Sequence, residues 1–183
     1  VYQLSHSPLY PLVNGRIGAP PEHVWYTHRD GCCDFFFADT RTERQLGGGS
    51  KEIISRRQMD ALLSWLSDGS GRVKVFVTSV PFWESASADK WSGFRLQRDE
   101  ILEHVRKSRV RRLLVLSGDV HASMSSELLL PEDPSFKVVS VVSSPFFWPY
   151  PHPWRRSFHL EGPIDTQTEM PDYVANSSDV PLT

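Results

Sequence analysis

The 183-residue sequence contains only two cysteines, and these are neighbours, Cys32 and Cys33. Adjacent cysteines rarely form a disulfide with each other, so the sequence predicts no disulfide framework from which a compartment could be inferred. It also lacks an apolar run approaching the roughly 18 residues that would suggest a membrane-spanning helix. A formal net charge of −2 argues against a general attraction to nucleic acid or to anionic membranes. What remains is a chain of ordinary domain size, whose 39% hydrophobic residues are enough to form a core.

Several catalytic motifs are missing as well. No G-x-x-x-x-G-K-[S/T] sequence occurs, so the glycine-rich segment 47–50 is not a phosphate-binding loop of that type. No G-x-S-x-G sequence occurs, which argues against a serine hydrolase. The triplet HRD at 28–30 is not followed by the asparagine that a kinase catalytic loop needs, because Phe35 stands at that position. The chemistry must therefore be sought in other residues.

The hydrophobic pattern predicts strands and helices in alternation. Apolar runs predict strands around 35–37 and at 73–77, 113–116 and 137–142. Amphipathic helices are predicted between the first three strands, at 55–66 and 95–108. The first helix has a clear start, because Ser55 and Gln58 form an S-x-x-Q capping box. Such alternation favours right-handed crossovers, so we predict an α/β fold with a parallel sheet at its centre.

The regions that flank this pattern are less regular. Residues 1–33 are rich in proline, tyrosine and histidine, and we expect an irregular segment that can include one short strand. Residues 34–145 are expected to form the α/β core. Residues 146–183 are rich in proline and aromatic side chains, and we expect an extended, irregular or partly disordered tail held on by its aromatics. Within this tail, Arg155, Arg156 and His159 are candidates for the rim of a pocket.

Polar residues follow three of the predicted strands at the point where each strand ends. They are Asp39 and Arg41, Thr78 and Ser79, and Asp119 and His121. The carboxyl ends of parallel strands meet at one edge of a sheet, where ligands of open α/β sheets gather. The sequence therefore predicts a site at this edge.

The strongest candidates for metal binding lie in the segment RLLVLSGDVHAS, residues 112–123. In an extended segment alternate side chains face the same way, so Asp119 and His121 could reach one cation or two adjacent cations. Gly118 permits a close backbone approach beside them. A carboxylate with an imidazole suits cations such as manganese, iron or zinc. The alternative is an Asp–His hydrogen bond that closes a turn.

Two groups of basic residues have competing interpretations. The guanidinium of Arg41 matches phosphate oxygens, and the alternative is an ion pair that braces its loop. The basic run at 106–112 could contact nucleic acid, but a solvated helix end is the preferred interpretation. We therefore expect no nucleic-acid partner.

Five segments taken in order resemble one known family. They are DFFFADTRTER, SRRQMDALLSWL, VKVFVTSVPFW, DKWSGFRLQRDEILEHV and RLLVLSGDVHAS, between about residues 26 and 145. Together they resemble the second half of the PhoD-like alkaline phosphatase family, within the calcineurin-like metallophosphoesterases. The resemblance implies a metallophosphatase-like β-sandwich of two mixed sheets flanked by helices, of which this chain carries roughly the C-terminal half. It also implies hydrolysis of phosphate esters with divalent or trivalent metal ions, among which iron, manganese, zinc and calcium are compatible.

The resemblance extends to particular residues. It places Asp119 and His121 at the last metal-binding motif of the superfamily, which gives His121, Asp119 and Arg41 catalytic roles. Asp39 and Arg41 match a D-x-R segment, for which we expect a structural or phosphate-orienting role. The remaining matches are to a W-x-G-[F/Y]…R segment that frames the edge of the site, at Trp91, Gly93 and Arg98. Asp39, Ser79 and Arg98 are secondary candidates.

The opening motifs of that superfamily, which supply most of the metal ligands, do not occur in residues 1–33. We therefore expect them in polypeptide that precedes residue 1, and we expect the missing N-terminal half to be a partner of this chain. Two ligands at the end of one strand cannot hold a pair of cations, so the isolated chain is expected to be inactive. The alternative function is a non-catalytic α/β binding or scaffolding module that retains the fold. A nucleic-acid binder built on 106–112 is a third.

Overall fold

The computed structural model describes residues 22–47, 51–144, 158 and 160–177, together with the backbone of two short strands near the start of the chain. Those two strands, β1 (Leu12–Val13) and β2 (Arg16–Ile17), pair antiparallel with each other. The other strands are β3 (Tyr26–Asp30), β4 (Cys33–Phe37), β5 (Val73–Val77), β6 (Leu113–Ser117), β7 (Ser123–Leu129), β8 (Lys137–Ser143), β9 (Gly162–Pro163) and β10 (Val174–Ser177). Within the described residues these form one sheet in the order β3-β4-β5-β6-β8-β7-β10-β9.

The centre of this sheet is parallel. Strands β4, β5, β6 and β8 run in the same direction, and the flanking strands β3, β7 and β10 are antiparallel to their neighbours. The four strands predicted from apolar runs are the four that form the parallel centre. The predicted α/β arrangement is confirmed, and the sheet as a whole is mixed.

Two helices connect the first three parallel strands, as predicted. Helix α1 is Arg56–Ser67 and helix α2 is Arg95–Lys107, preceded by a single 3₁₀ turn at Trp91–Phe94. Ser55 caps α1, because its side chain accepts a hydrogen bond from the backbone N–H of Gln58 at 3.2 Å. The second half of the predicted capping box is wrong. The backbone N–H of Ser55 donates to Glu43 instead, and the Gln58 amide contacts Asp39 and Glu43.

One face of the sheet is buried against the helices. Side chains that point to this face from successive strands belong to one hydrophobic core with the inner faces of α1 and α2, and they include Phe36, Phe76, Val115, Val138 and Leu128. The helices contribute Met59, Leu62, Ile101, Leu102 and Val105 to the same core. No helix in the described residues is long and apolar enough to cross a membrane.

The opposite face of the sheet is apolar but only half-buried. Its residues alternate with the core residues along each strand, and they include Phe35, Phe37, Val77, Leu114, Leu116, Val139 and Val141. Each of these side chains keeps partial exposure. The described residues therefore leave an incompletely covered apolar surface, which is called the open face below.

Four strands of the sheet lie outside the four that were predicted. The segment 26–30, placed in an irregular region, forms the edge strand β3. Strand β7 was missed because its sequence, SMSSELL, contains three serines and no continuous apolar run. The tail expected to be irregular contributes β9 and β10 to the sheet. The domain boundaries at 33 and 145 stay predictions.

The described part of the tail is held by two buried charged residues of α2. The Arg98 guanidinium pairs with the neighbouring Asp99 carboxylate at 2.8 Å and donates to the carbonyl of Asp165. Asp99 also accepts the backbone N–H of Gln167 at 2.9 Å. These contacts hold the segment 165–167 on the helix, and β10 follows a few residues later. An aromatic residue of the tail contributes as well, as expected, because Tyr173 is buried in the core against the Phe136 ring.

Candidate active site at the carboxyl ends of the parallel strands

The loops that follow β4, β5 and β6 meet at one edge of the sheet. Thr40, after β4, hydrogen-bonds through its hydroxyl to Ser79, after β5, at 2.5 Å. Arg41 crosses to the loop after β6, where its guanidinium contacts Asp119 Oδ2 at 3.2 Å. The structure thus brings together polar residues from three separate strand ends.

Asp119 is the centre of charge at this edge. Its side chain is 45% exposed, and its Oδ2 accepts hydrogen bonds from both Lys90 Nζ and Arg41. Lys90 is only 9% exposed, and its Nζ also lies 3.5 Å from the carbonyl oxygen of Asp119. One carboxylate oxygen is therefore held between a buried ammonium group and a half-exposed guanidinium group.

The backbone that carries the two candidate metal ligands is strained. Asp119 has φ = 65° and His121 has φ = 51°, and only one other non-glycine residue in the described chain, Arg109, has positive φ. The extended segment expected here is wrong, because the chain turns through left-handed conformations instead. Such conformations cost roughly 1–2 kcal/mol per residue. They persist where the surroundings impose them, and they cluster at functional sites.

The end of β8 imposes this turn. A Cβ atom at Gly118 would lie 3.1 Å from the carbonyl oxygen of Ser143, so the glycine lets the two backbones approach closely. The backbone N–H of Val120 donates to the Ser144 hydroxyl at 2.9 Å. The predicted close approach at Gly118 is confirmed, and it fixes the loop that presents Asp119 and His121.

Asp39 shapes the loop that presents Arg41. Its Oδ1 accepts the backbone N–H groups of Arg41 at 3.0 Å and Thr42 at 2.9 Å. The backbone of Asp39 is held by the Gln58 side chain, which accepts its N–H at 2.9 Å and donates to its carbonyl at 3.1 Å. The Asp39 carboxylate is thus directed at its own loop. These contacts agree with the structural role expected for Asp39.

Lys90 was not among the predicted site residues. It precedes Trp91, whose indole N–H donates to Thr78 Oγ1 at 2.9 Å. A Cβ atom at Gly93 would lie 2.0 Å from the carbonyl oxygen of Ala88, so only glycine fits this turn. The turn and the indole contact fix the backbone on both sides of Lys90. Lys90 could have been predicted from the DKWSGF segment, in which a lysine directly precedes the matched tryptophan.

Arg44 adds a third cation to this edge. It donates to the carbonyl of Asp89 at 2.8 Å and lies over the Phe94 ring at 5.1 Å. Burial and the charge of Arg41 lower the pKa of Arg44 below its ordinary value. Arg41, Arg44 and Lys90 together form a cationic group beside the Asp119 carboxylate.

The other residues predicted for the site lie in several different environments. His121 is half-buried two residues after Asp119. Ser79 is exposed at the edge. Arg98 is buried against Asp99 and the tail, and its side-chain contacts in the described chain hold the tail rather than the edge. Arg155, Arg156 and His159 lie outside the described residues.

The donor set at the edge is small. Asp119 supplies a carboxylate and His121 an imidazole, a combination that suits hard to borderline cations. Across residues 22–47, 51–144 and 160–177, no group of three or more His, Cys, Asp or Glu side chains could hold a metal ion. A tightly bound cation at this edge would therefore need donors beyond these residues.

The fold is that of a metallophosphatase-like α/β protein. A family model described as PhoD-like phosphatase matches residues 10–154, and the chain belongs to that family. The resemblance of the five segments is thereby confirmed.

Two known proteins illustrate the relationship. Alkaline phosphatase D from Bacillus subtilis (strain 168) is 34% identical over 59 residues, which cover 30% of this chain and 10% of that protein. A solved structure of PhoD superposes with a TM-score of 0.57 at 20% identity, over 70% of this chain and 30% of that one. The second comparison supports the fold. The chain thus spans well under half the length of either relative.

Proposed function

We propose that this chain belongs to a metal-dependent phosphoric ester hydrolase and carries one side of its active site. The observation that supports the proposal is the meeting of Asp119, Arg41 and Lys90 at the carboxyl edge of the parallel strands, with His121 two residues after Asp119 in the same turn. Membership of the PhoD-like phosphatase family supports the same reaction class. A phosphate ester is the proposed substrate.

Asp119 and His121 are the proposed metal ligands. Lys90 and Arg41 both contact Oδ2 of Asp119, so Oδ1 is the oxygen offered to an ion. The carboxylate and imidazole suit divalent or trivalent ions such as manganese, iron or zinc, and calcium remains compatible with the carboxylate. A bound cation supplies charge neutralisation and an activated water for attack on phosphorus. The left-handed backbone at both residues supports a functional role for this turn.

The cationic group is proposed to orient the substrate phosphate. The planar guanidinium of Arg41 is half-exposed and matches two phosphate oxygens, whereas the Lys90 ammonium is a buried point charge. Lys90 is therefore assigned to hold the Asp119 carboxylate, and Arg41 to exchange between that carboxylate and the phosphate. Asp39 serves this step indirectly by fixing the Arg41 loop.

We further propose that additional polypeptide of the same protein completes the site. Two donors are too few for a pair of cations, and the half-buried apolar side chains of the open face are suited to packing against a second sheet. Both relatives are much longer than this chain. The isolated 183-residue chain is accordingly proposed to be inactive.

A non-catalytic module is the second candidate function. The observation that favours it is the engagement of Asp119 by two cations of the chain itself, which gives the carboxylate a complete structural role without a metal. In that case the edge would be a closed salt-bridge cluster, and the fold would serve binding or scaffolding.

The deciding experiment measures hydrolysis of p-nitrophenyl phosphate by the full-length protein that contains this chain. We expect turnover that a chelator abolishes and that added Mn²⁺ or Fe³⁺ restores. His121→Ala should abolish it, and His104→Ala, at the far end of α2, should not. Unchanged turnover in His121→Ala would remove His121 from the site. No turnover in a folded, metal-loaded protein would favour the non-catalytic module.

A further inference from the structure

A second concave site lies at the opposite edge of the sheet, where β5 and β6 begin. It is a cavity of about 370 Å³ between the segment 66–72, at the end of α1, and the segment 108–112, after α2. Strands β5 and β6 have five residues each, so about 16 Å of strand separates this cavity from the Asp119 edge. The two sites are therefore distinct, and ligand binding in this cavity does not depend on the proposed function.

Five of the twelve residues that line the cavity are basic. Its basic residues are Arg72, Lys74, Arg109, Arg111 and Arg112, and its one acidic lining residue is Asp68. Asp68 is already occupied, because it accepts a hydrogen bond from Arg29 at 2.9 Å. A chain with a net charge of −2 thus concentrates four arginines around one small cavity.

These arginines have no ion pair within 4 Å among the described residues, although Arg111 and Arg109 are close enough to Asp133 for their charges to help lower its pKa. Arg111 and Arg112 donate to backbone carbonyls, those of Ser135 at 3.3 Å and Gly71 at 3.2 Å. Arg72 and Arg109 have no ion pair with any described residue. Lys74 is neutralised by Asp34 at 2.9 Å and serves the fold. Positive charge of the arginines at the mouth of the cavity is therefore available to a ligand.

The backbone conformation of Arg109 also supports a binding role for its side chain. It has φ = 52° and ends α2, with the Val110 N–H donating to the Val105 carbonyl at 3.0 Å. Glycine is the residue that most often occupies this left-handed position after a helix, because it carries no Cβ penalty. An arginine here keeps a strained backbone and places its side chain in the cavity lining. This pattern is expected where the guanidinium itself is needed.

We propose that this cavity binds a small polyvalent anion that carries two or more linked phosphate groups. Guanidinium groups bind phosphate oxygens in bidentate fashion, and several of them around one cavity match several phosphates. The volume falls within the range of about 300–1,000 Å³ that is typical of small-molecule sites. The negative ends of the α1 and α2 dipoles each oppose an anion with roughly half a charge, which the arginines outweigh.

The proposal is tested by titrating the full chain with pyrophosphate at low salt and following backbone amides by NMR. We expect saturable shifts at residues 69–72 and 108–112. The double variant Arg109→Gly with Arg112→Gln should weaken binding at least about tenfold, since it removes two of the guanidinium groups that would bind the phosphate oxygens. The control Lys51→Gln with Arg57→Gln removes the same charge elsewhere and should leave binding unchanged. ADP binding more tightly than pyrophosphate would identify a nucleotide as the source of the phosphates.

Arg109→Gly alone separates binding from folding. It should raise the thermal unfolding midpoint, because glycine relieves the left-handed strain, and it should lower the affinity for pyrophosphate. Equal affinity in the double variant, or shifts only at 39–44 and 118–121, would overturn the proposal. Tighter binding of a single-stranded oligonucleotide than of pyrophosphate, with steep salt dependence, would overturn it in favour of nucleic acid.

Discussion

Two lysine–aspartate pairs lie at opposite edges of the same sheet, and they are built differently. At the amino edge, Lys74 Nζ contacts Asp34 Oδ2 at 2.9 Å, and the two side chains are 4% and 1% exposed. At the carboxyl edge, Lys90 contacts Asp119, whose side chain is 45% exposed. Asp34 and Lys74 lie within regular strands, whereas Asp119 lies in a left-handed turn. The lysine–aspartate pair is thus buried, or closed, at the amino edge and partly exposed, or open, at the carboxyl edge.

The difference indicates what each pair can do. The closed pair is further covered by Trp65, whose ring lies 4.8 Å from Lys74 Nζ, so neither charge is open to a ligand from solvent. Each has a more distant second partner, Asp68 at 3.7 Å from Lys74 and Arg29 at 3.6 Å from Asp34. Burial opposes ionisation of Asp34, but the hydrogen bond and the charge of Lys74 outweigh it and hold its pKa below the ordinary value. Asp119 can exchange partners, because one side of its carboxylate is exposed. The closed pair is assigned to stability and the open one to ligand binding.

The largest expected effect is on the closed pair. Asp34→Asn should destabilise the chain by about 3 kcal/mol, the low end for a broken buried pair, because the Lys74 ammonium keeps only the more distant Asp68 carboxylate at 3.7 Å. Denaturant unfolding measures this loss. The double variant Asp34→Leu with Lys74→Met should recover most of it, since no buried charge remains. A double variant as unstable as the single one would show that the pair is not the cause.

The same pair predicts a dependence of stability on pH. The folded pKa of Asp34 lies below its unfolded value of 3.8, so the stabilisation is fully present above that pH and is lost as the pH falls through the folded value. At moderately acid pH only part of Asp34 is protonated, so the unmodified chain should lose less stability there than the substitution Asp34→Asn costs. Unfolding midpoints below pH 4 should therefore fall less steeply in Asp34→Asn than in the unmodified chain. Parallel curves would contradict this assignment.

The next effect tests the turn that fixes Lys90. A Cβ atom added in Gly93→Ala would lie 2.0 Å from the carbonyl oxygen of Ala88, and the clash should cost about 1–3 kcal/mol of stability. Gly69→Ala is the control, because a Cβ atom there meets nothing within 4 Å. Circular dichroism melts compare the two variants. Equal midpoints would mean that the turn at 88–93 adjusts freely and does not fix Lys90.

The open pair should respond in the opposite way to the closed one. Lys90→Met in the full-length protein should lower kcat/KM about 10–100-fold, as is typical when a residue that positions a metal ligand is lost. Its unfolding midpoint should change little, because Asp119 keeps Arg41 and water as partners. Lys137→Met, an exposed lysine paired with Glu127, should change neither quantity. A large stability loss without a change in kcat/KM would assign Lys90 to the fold.

The smallest expected effect concerns the strained turn itself. His121→Gly and His121→Ala both remove the imidazole, but glycine accepts φ = 51° without the Cβ penalty. The glycine variant should therefore be more stable than the alanine variant by about 1 kcal/mol. Neither variant should hydrolyse the ester. Alanine more stable than glycine would show that the left-handed conformation does not persist without the histidine.

The centre of the fold could be predicted because its signals are local. Strands β4, β5, β6 and β8 are continuous apolar runs, and Ser55 marks the start of α1. Strand β7 could not be predicted, since its serines are accommodated only by pairing with β8 and β10. Strands β9 and β10 depend on long-range contacts of Arg98 and Asp99, which no local pattern encodes.

The position of the site was predictable from the sequence, whereas its backbone conformation and the part played by Lys90 were not. The edge that joins Arg41, Ser79 and Asp119 follows from parallel strand order alone. The left-handed backbone at Asp119 and His121 could not be foreseen, because it arises from the close approach of Gly118 to Ser143 in another strand. Lys90 was missed for the same reason, since it reaches Asp119 across 29 residues of sequence.

The central claim is that the Asp119 carboxylate and the His121 imidazole face a common cation. Addition of Mn²⁺ to the full chain, with amide and imidazole NMR signals followed for paramagnetic broadening, tests it most directly. The account predicts weak binding that broadens residues 118–122 and the His121 ring first, and that disappears in His121→Ala. Broadening centred on another carboxylate, such as Asp133, while residues 118–122 stay sharp, would contradict it.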